Sequence, residues 1–514
     1  MPSSFNMQEF VLGIDCGTTL CKCVLFDLDG NVIAVEKNEY GIYQEREGWA
    51  EQDPDWWWNA AVINVRNILE KTKIDSKSIA GIGVDSQREA FVPLNREGKK
   101  LWNSVTWLDK RTIPISEEIR KILPADEVRE RTGGYMDHVV SAPKIIWLKR
   151  NKPEIYSETV KIVFSKDYIA YRLTNKAATD YSMASRTRLF NIRKKVWDED
   201  ICEALDIPVS ILPDVQGAWD VVGGVTKEIS RMTGLAEGTP VVSGGGDRPC
   251  ESLGSGVITP GQMNIGSGTG TAFEVPLSEP HLDYKDRIDC CCHVVPDTWE
   301  YEAGLLTGAC LRWFRDQFGY EEVEKAKLKN GDPYQYLDEL AEKVDDGSDM
   351  LFCYPYFMGA GPPRFEFQAK AVYFGFTLWH GKPHFVRSLL EGIAFQYVGV
   401  IELLGELGVK VNDASMSGGE TRSRIWNQIK ADVIGMNIRI PVVEDAAAAL
   451  GSAILAGVGS GVYKNVQEGV KRGIRFRDVY HPRLEHHENY VRLLDKYKRV
   501  YESISKAYSI IAER

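Results

Sequence analysis

The chain has little of what most readily betrays a protein's business. There is no basic excess: 62 Lys and Arg stand against 73 Asp and Glu, a formal net charge of −11, which argues against a surface for nucleic-acid backbones. Short basic runs such as NIRKKVW (191–197) read as solvated turns. No uninterrupted apolar stretch reaches about 18 residues, the length of a membrane span. The opening MPSSFNMQEFVLGIDCG has no basic region followed by a long apolar one. A soluble, cytoplasmic protein with no nucleic-acid or membrane partner is therefore expected. Cysteine is sparse and irregular, 10 in 514 residues, which excludes a disulfide framework. Cys290, Cys291, Cys292 and His293 invite a zinc reading, but neighbours on a strand point to opposite faces and cannot all reach one ion. Buried thiols are expected there, as at Cys16, Cys21 and Cys23. No low-complexity tract suggests disorder.

What is present is the patterning of an α/β protein of about two to four domains. Residues 10–37 read as three strands joined by a Gly-Thr-Thr turn and an Asp-Gly turn. Residues 53–72 read as an amphipathic helix, 79–87 as a buried strand and 90–101 as a second hairpin. The theme recurs: 261–275 is strand, Gly/Thr turn, strand; 299–318 is strand, turn, helix; 413–435 is strand, Gly-Gly turn, helix. A Gly/Thr hairpin near the start of each half suggests an internal duplication. The boundary near 250–260 gives domains 1–254 and 255–514, the second ending in a charged helix.

Gly/Thr turns after strands free backbone N–H groups for phosphate oxygens. One is a weak signal; Gly17-Thr18-Thr19 and Gly268-Thr269-Gly270 together suggest a grip on one polyphosphate. Asp15, ending the first apolar strand, reads either as a turn-stabilising residue or as a Mg²⁺ carboxylate acting through water. Lys22 reads as a phosphate contact or a solvated lysine. In SGGGDRPCES (243–252) three glycines strip the backbone before Asp247, and Pro249 reads as a helix stop. A carboxylate on a bare loop suits the proton acceptor of phosphoryl transfer to an alcohol. Arg88 and Glu89, ending a buried strand, could bind vicinal hydroxyls or simply pair with each other. Trp107 could stack on a sugar or fill a core.

These motifs, GIDCGTT…K, GGGD, GSGTG, SGGETRSRIWNQIKADVIG, VYFGFTLWH, RSLLEGIAF and AAALGSAILAGVGSGVY, in this order from about residue 10 to 475, resemble the FGGY carbohydrate kinases. The resemblance implies an α/β fold of two actin-like (ribonuclease H-like) ATPase domains with an interdomain cleft that closes to exclude water. It implies ATP and Mg²⁺ as cofactors, and Asp247 as base. Thr18, Thr19, Lys22, Gly268, Thr269 and Gly308 would touch the phosphates, Gly419 and Ser423 the adenosine, and Asp15 and Asp247 the Mg²⁺. Arg88, Glu89, Trp107, Asp247 and Arg248 would meet the acceptor, and a homo-oligomer, a dimer, is expected. SQRE and TWLDKR look most like glycerol kinases, but Val139 stands where those have a substrate-binding Tyr, and Arg248 where the family has a small or amide residue. The C-terminal half looks closer to pentulose kinases. The implied acceptor is a pentulose- or polyol-sized sugar phosphorylated on a terminal hydroxyl. Alternatives are glycerol or an autoinducer-2-type short polyol, and, from another class, an ATP-driven or sugar-sensing protein without kinase activity.

Overall fold

The computed structural model describes residues 9–362 and 364–512; part of the leader-free N-terminus expected from sequence, residues 1–8, lies outside them. In chain order come β1 (Phe10–Cys16), β2 (Leu20–Asp27), β3 (Val32–Glu39), α1 (Pro54–Thr72), β4 (Ile79–Ser86), β5 (Phe91–Leu94), α2 (Ser141–Asn151), β6 (Lys161–Phe164), β7 (Val221–Gly224), β8 (Pro240–Val242), β9 (Gly245–Gly246) and α3 (Asp247–Gly254). Then follow β10 (Gln262–Ser267), β11 (Gly270–Leu277), β12 (Trp299–Leu306), α4 (Gly308–Phe318), α5 (Pro333–Ala341), α6 (Lys382–Glu406), β13 (Asp413–Gly418), α7 (Arg424–Ile434), β14 (Asn437–Pro441), α8 (Ala447–Gly459), β15 (Phe476–Tyr480) and α9 (Leu484–Ala512). They form two compact units. One holds the residues up to Thr259 with Pro276–Tyr301 and Ala446–Arg475, the other Pro260–Val275, Glu302–Asp445 and the residues from Phe476.

In the first unit the central sheet runs β7-β8-β4-β1-β2-β3, with β9 also paired to β4. The meander β1-β2-β3 is antiparallel, while β4 joins β1 in parallel. Helix α1 starts where expected because the Asp53 carboxylate caps the Asp55 N–H and Pro54 fills the first turn. It buries Trp57, Trp58, Val65 and Ile68 with Leu12, Ile14, Ile82 and Val84 of the sheet. The hairpin expected over 90–101 forms as a short one: Asn95 N–H donates to the Lys99 carbonyl at 3.0 Å and Leu101 N–H to that of Pro93 at 2.9 Å, while the longer ladder of β5 runs to β6. All four residues of β5 are buried and pair antiparallel with β6, and Lys100 makes only an isolated bridge to Leu94.

Helix α8, AAALGSAILAGVG, lies backbone-close on β1 and β4. A Cβ at Gly13 would sit 2.1 Å from the Ala449 carbonyl oxygen, and one at Gly83 1.9 Å from that of Ser452. These glycines are required by that approach. It draws 446–475 into the first unit despite its late place in the chain.

In the second unit the strand order β12-β11-β10-β13-β14-β15 repeats the theme, an antiparallel β10/β11 hairpin with β13 parallel to β10. Helix α6 is long and apolar enough to cross a bilayer by composition, but 78% of its most apolar 18-residue window is buried; it is a core helix. In the first unit Asp289–Cys292 form a strand whose three cysteines are buried, and among the described residues no group of three or more His, Cys, Asp and Glu is arranged to hold a metal ion.

Gly83→Ala should cost about 1–3 kcal/mol or more through overpacking against backbone that cannot rotate away. A lowered urea midpoint at unchanged m-value is the expected result.

Candidate active site

Parallel pairing decides where the first unit's acids meet. The β1–β4 register sets Asp15 opposite Asp85 and Cys16 opposite Ser86, and β9 pairs Gly245 with Asp85 and Gly246 with Ser86. Three strands thus end at one level, and Asp247 follows directly. In α/β sheets the carboxyl ends of parallel strands are where ligands bind. Asp85 is fully buried; burial pushes its carboxyl well above the usual range, the Asp15 charge adds to this, and the Ser452 hydroxyl opposes it. Asp15 is raised too, by burial, with Lys22 across the hairpin pulling it back. No sequence motif singled out Asp85.

Asp247 is not on a loop. It is the first residue of α3, capped by Gly246, and Pro249 sits inside the first turn instead of stopping a helix, because that position needs no N–H donor. Gly246 is bare for a reason: a Cβ there would meet Arg88 Cδ at 2.4 Å. Arg88 lies across it with Nε 3.4 Å from Asp247 Oδ1. Burial pushes the Asp247 carboxyl up to about 6, while Arg88 and Arg248 draw it down.

Arg88 and Glu89 do not pair with each other in this arrangement. Arg88 faces Asp247, whereas the Glu89 carboxylate accepts from Arg186 Nε at 2.6 Å. Arg186 also reaches Asp289, 2.6 Å away. Arg248 Nη1 donates to Glu251 Oε2 at 2.8 Å along its own helix. Trp107 is 42% exposed, so it fills no core; its Nε1 donates to Thr18 Oγ1 at 2.9 Å. Thr18 and Thr19 lie in the turn between β1 and β2, Thr19 exposed.

The second unit carries a cavity of about 730 Å³, and Gly268, Thr269, Gly308, Gly419 and Ser423 all line it. The Gly268-Thr269 turn is closed by a bond from Gly268 N–H to the Gly270 carbonyl, 2.8 Å, and Ala309 N–H donates to the Thr269 carbonyl at 3.0 Å. Helix α4 begins at Gly308 and α7 just after Ser423, so two helix N-termini stand at the cavity wall, the arrangement that receives anions. Ser423 caps α7 and donates to Asp338 Oδ1 at 2.8 Å; burial pushes Asp338, another lining residue, up to about 7. Arg312, also lining, donates to Thr269 Oγ1 at 3.3 Å. Beneath lies a buried pair, Lys430 Nζ to Glu420 Oε2 at 2.5 Å, with Thr307 and Tyr397 donating to the same carboxylate. Asp338, Arg312 and this pair were not legible, since they become neighbours only through folding.

Known proteins match this chain over nearly its whole length. The model of the FGGY family of carbohydrate kinases, N-terminal domain, matches residues 10–254, and that of its C-terminal domain matches 263–460. A xylulose kinase of Bacillus subtilis is 29% identical, covering 96% of this chain and 97% of its own. A glycerol kinase of Thermococcus gammatolerans is 32% identical, covering 90% and 91%. The crystal structure of xylulose kinase from Rhodospirillum rubrum superposes with a TM-score of 0.87 at 27% identity, covering 97% of this chain and 100% of that one.

Lys430→Met should destabilise the protein by about 3–5 kcal/mol, because Glu420 is left charged and buried without its partner. Chemical denaturation, compared with the double variant Lys430→Met/Glu420→Gln, which should recover part of the loss, checks this.

Proposed function

Because the chain belongs to the FGGY family of carbohydrate kinases and is an ATP-dependent sugar kinase, we propose that its acceptor is an uncharged polyol or ketose of pentulose size, phosphorylated on a terminal hydroxyl with Asp247 as base. The observation that carries this reading is the charge arrangement around Asp247. Arg88 faces Asp247, Arg186 serves Glu89 and Asp289, and Arg248 is taken by Glu251. An acidic sugar would have to compete with a protein carboxylate for each of these guanidiniums; a neutral one leaves the pairs intact. Val139, in place of a phenol, leaves room beyond glycerol length. The matched xylulose kinases support the same size class. A glycerol-sized acceptor is the second reading, supported by the exposed Trp107, held by Thr18, and by the glycerol kinase match.

In the proposed mechanism Arg88 and Glu89 hold vicinal hydroxyls, and Trp107 stacks on the carbon face. The ionised Asp247 accepts the proton of the terminal hydroxyl as that oxygen bonds to the γ-phosphorus and the bond to ADP breaks. Thr18, Thr19 and Lys22 act on the phosphates from the first unit. Gly268, Thr269 and Gly308 are the second unit's phosphate-binding candidates, and Gly419 and Ser423 its adenosine-binding ones. Mg²⁺ fits the first unit's acids, since Asp15, Asp85 and Asp247 stand at the ends of neighbouring strands and the charges of Asp15 and Asp247 bear on the buried Asp85. Asp15 and Asp247 would hold it, through water, and when bound it neutralises phosphate charge. A cytoplasmic homodimer completes the proposal; the exposed run Phe374, Phe376, Leu378 and Trp379 of the second unit supports self-association.

A coupled ADP-release screen across glycerol, erythritol, pentitols, D- and L-pentuloses, hexuloses and aldonic acids should give one strong neutral acceptor. Asp247→Ala should lower kcat on it by about 10²- to 10⁴-fold with ATP binding kept. An aldonic acid as the strong hit, or sugar-independent hydrolysis that survives the substitution, contradicts the reading. The raised Asp247 predicts a second result: a base must be ionised, so kcat/KM for the acceptor should be full above pH 7 and fall tenfold per pH unit below about 6.

A further inference from the structure

Glu89 stands in a backbone conformation that glutamate rarely adopts. Its φ is +65°, the left-handed region that a Cβ disfavours and that persists in non-glycine residues only where surrounding contacts enforce it. The enforcing contacts come from α2. Ser141 Oγ donates to the Glu89 carbonyl at 3.1 Å, and Lys144 Nζ donates to the same oxygen at 3.4 Å. The two residues are three apart on the first turn of the helix and so share one face. The other end of Glu89 is held as firmly, by Arg186, which is itself bound to Asp289 beside Arg188.

Lys144 is the unusual member. It is 1% exposed, and lysine is almost never buried so deeply without a purpose. Burial pushes its ammonium down to about 8, with Glu89 the foremost charge opposing that shift. A methionine would fill the same space without a desolvated charge, so packing alone does not account for the amine. A hydrogen bond to a carbonyl in a strained turn does.

We propose that Lys144, assisted by Ser141, is a positioning residue: by gripping the Glu89 carbonyl it locks the left-handed turn and so aims the Glu89 carboxylate at the acceptor's hydroxyls. The proposal rests on the reading of Glu89 as an acceptor-binding group. It adds that α2, which need not touch the sugar through these residues, sets how well the sugar binds.

The test is steady-state kinetics of Lys144→Met, Lys144→Arg, Ser141→Ala, Glu89→Gln and the double variant Lys144→Met/Glu89→Gln, with Mg·ATP and the best acceptor. Lys144→Met should raise KM for the acceptor ~10- to 100-fold with KM for ATP within about twofold, since a displaced contact acts on the sugar alone. Lys144→Arg should recover part of this, and the double variant should be no worse than Glu89→Gln, because both act through one carboxylate. If Glu89→Gln raises the acceptor KM while Lys144→Met leaves it unchanged, or if the double variant shows additive losses, the positioning role is overturned and the reading of Glu89 stands. If Glu89→Gln leaves the acceptor KM unchanged, the reading itself falls. Should Lys144→Met fail to fold, Ser141→Ala, which deletes one hydroxyl, decides: an unchanged acceptor KM overturns the proposal.

Discussion

The first unit depends on a single registration, that of β1 and β9 against β4. Parallel strands in step deliver their ends to one level, with Asp15 and Asp85 each next to last on its strand and Asp247 one peptide beyond Gly246. A slip of one residue would turn each acid to the opposite face of the sheet. The register is held from behind by α8, whose backbone rests on Gly13 and Gly83 at distances that admit no side chain. Such contact fixes strand level more sharply than side-chain packing does, because there is no rotamer to adjust. The small residues of α8 and the glycines of β1 and β4 are therefore one feature, separated by more than 360 positions in the sequence.

Both units contain the same antiparallel hairpin with a parallel neighbour, yet their electrostatics differ. In the first, acids are brought together, and burial with the neighbouring Asp15 charge pushes Asp85 well above the usual carboxylate range. In the second, the buried Glu420 is satisfied by Lys430, Thr307 and Tyr397. Acids brought together suit a site awaiting a cation; a satisfied floor under two helix N-termini suits one awaiting an anion. One strand plan thus carries two opposite electrostatic environments, set by a few side chains at strand ends.

Much of this was legible in the sequence because it is local. The β1-β2-β3 meander, the Asp53 cap of α1 and the Gly/Thr turns depend on residues within a few positions of one another. Asp247 could be singled out by its glycines, although not its place in a helix, since Pro249 reads as a breaker until one sees that it falls in the first turn. What sequence could not supply was partnership at a distance. Arg88 and Glu89 are adjacent and of opposite charge, so pairing seemed natural. The fold instead gives Arg88 to Asp247 and gives Glu89 to Arg186, 97 residues away. Similarly, the short hairpin of 90–101 forms, but the longer ladder of β5 runs to β6, a partner that the local pattern does not name.

The same rearranged pairing bears on the proposed role of Asp247 as base, a half-buried carboxylate beside Arg88. Burial alone drives Asp247 toward the protonated form, in which it could accept nothing. Arg88 and Arg248 oppose that drive, and the balance settles at about 6, ionised at neutral pH yet still basic. Had Arg88 paired with Glu89, much of that opposition would be lost and the carboxyl would rise further. Had Arg248 lacked Glu251 to hold it along the helix, it would be free to clamp the carboxylate and drop its basicity. Arg186 and Glu251 act on the base by occupying the groups that would otherwise mistune it. In the proposed mechanism the basicity of Asp247 therefore depends on Arg88, which also meets the acceptor, and on Arg186 and Glu251, which act through their partners.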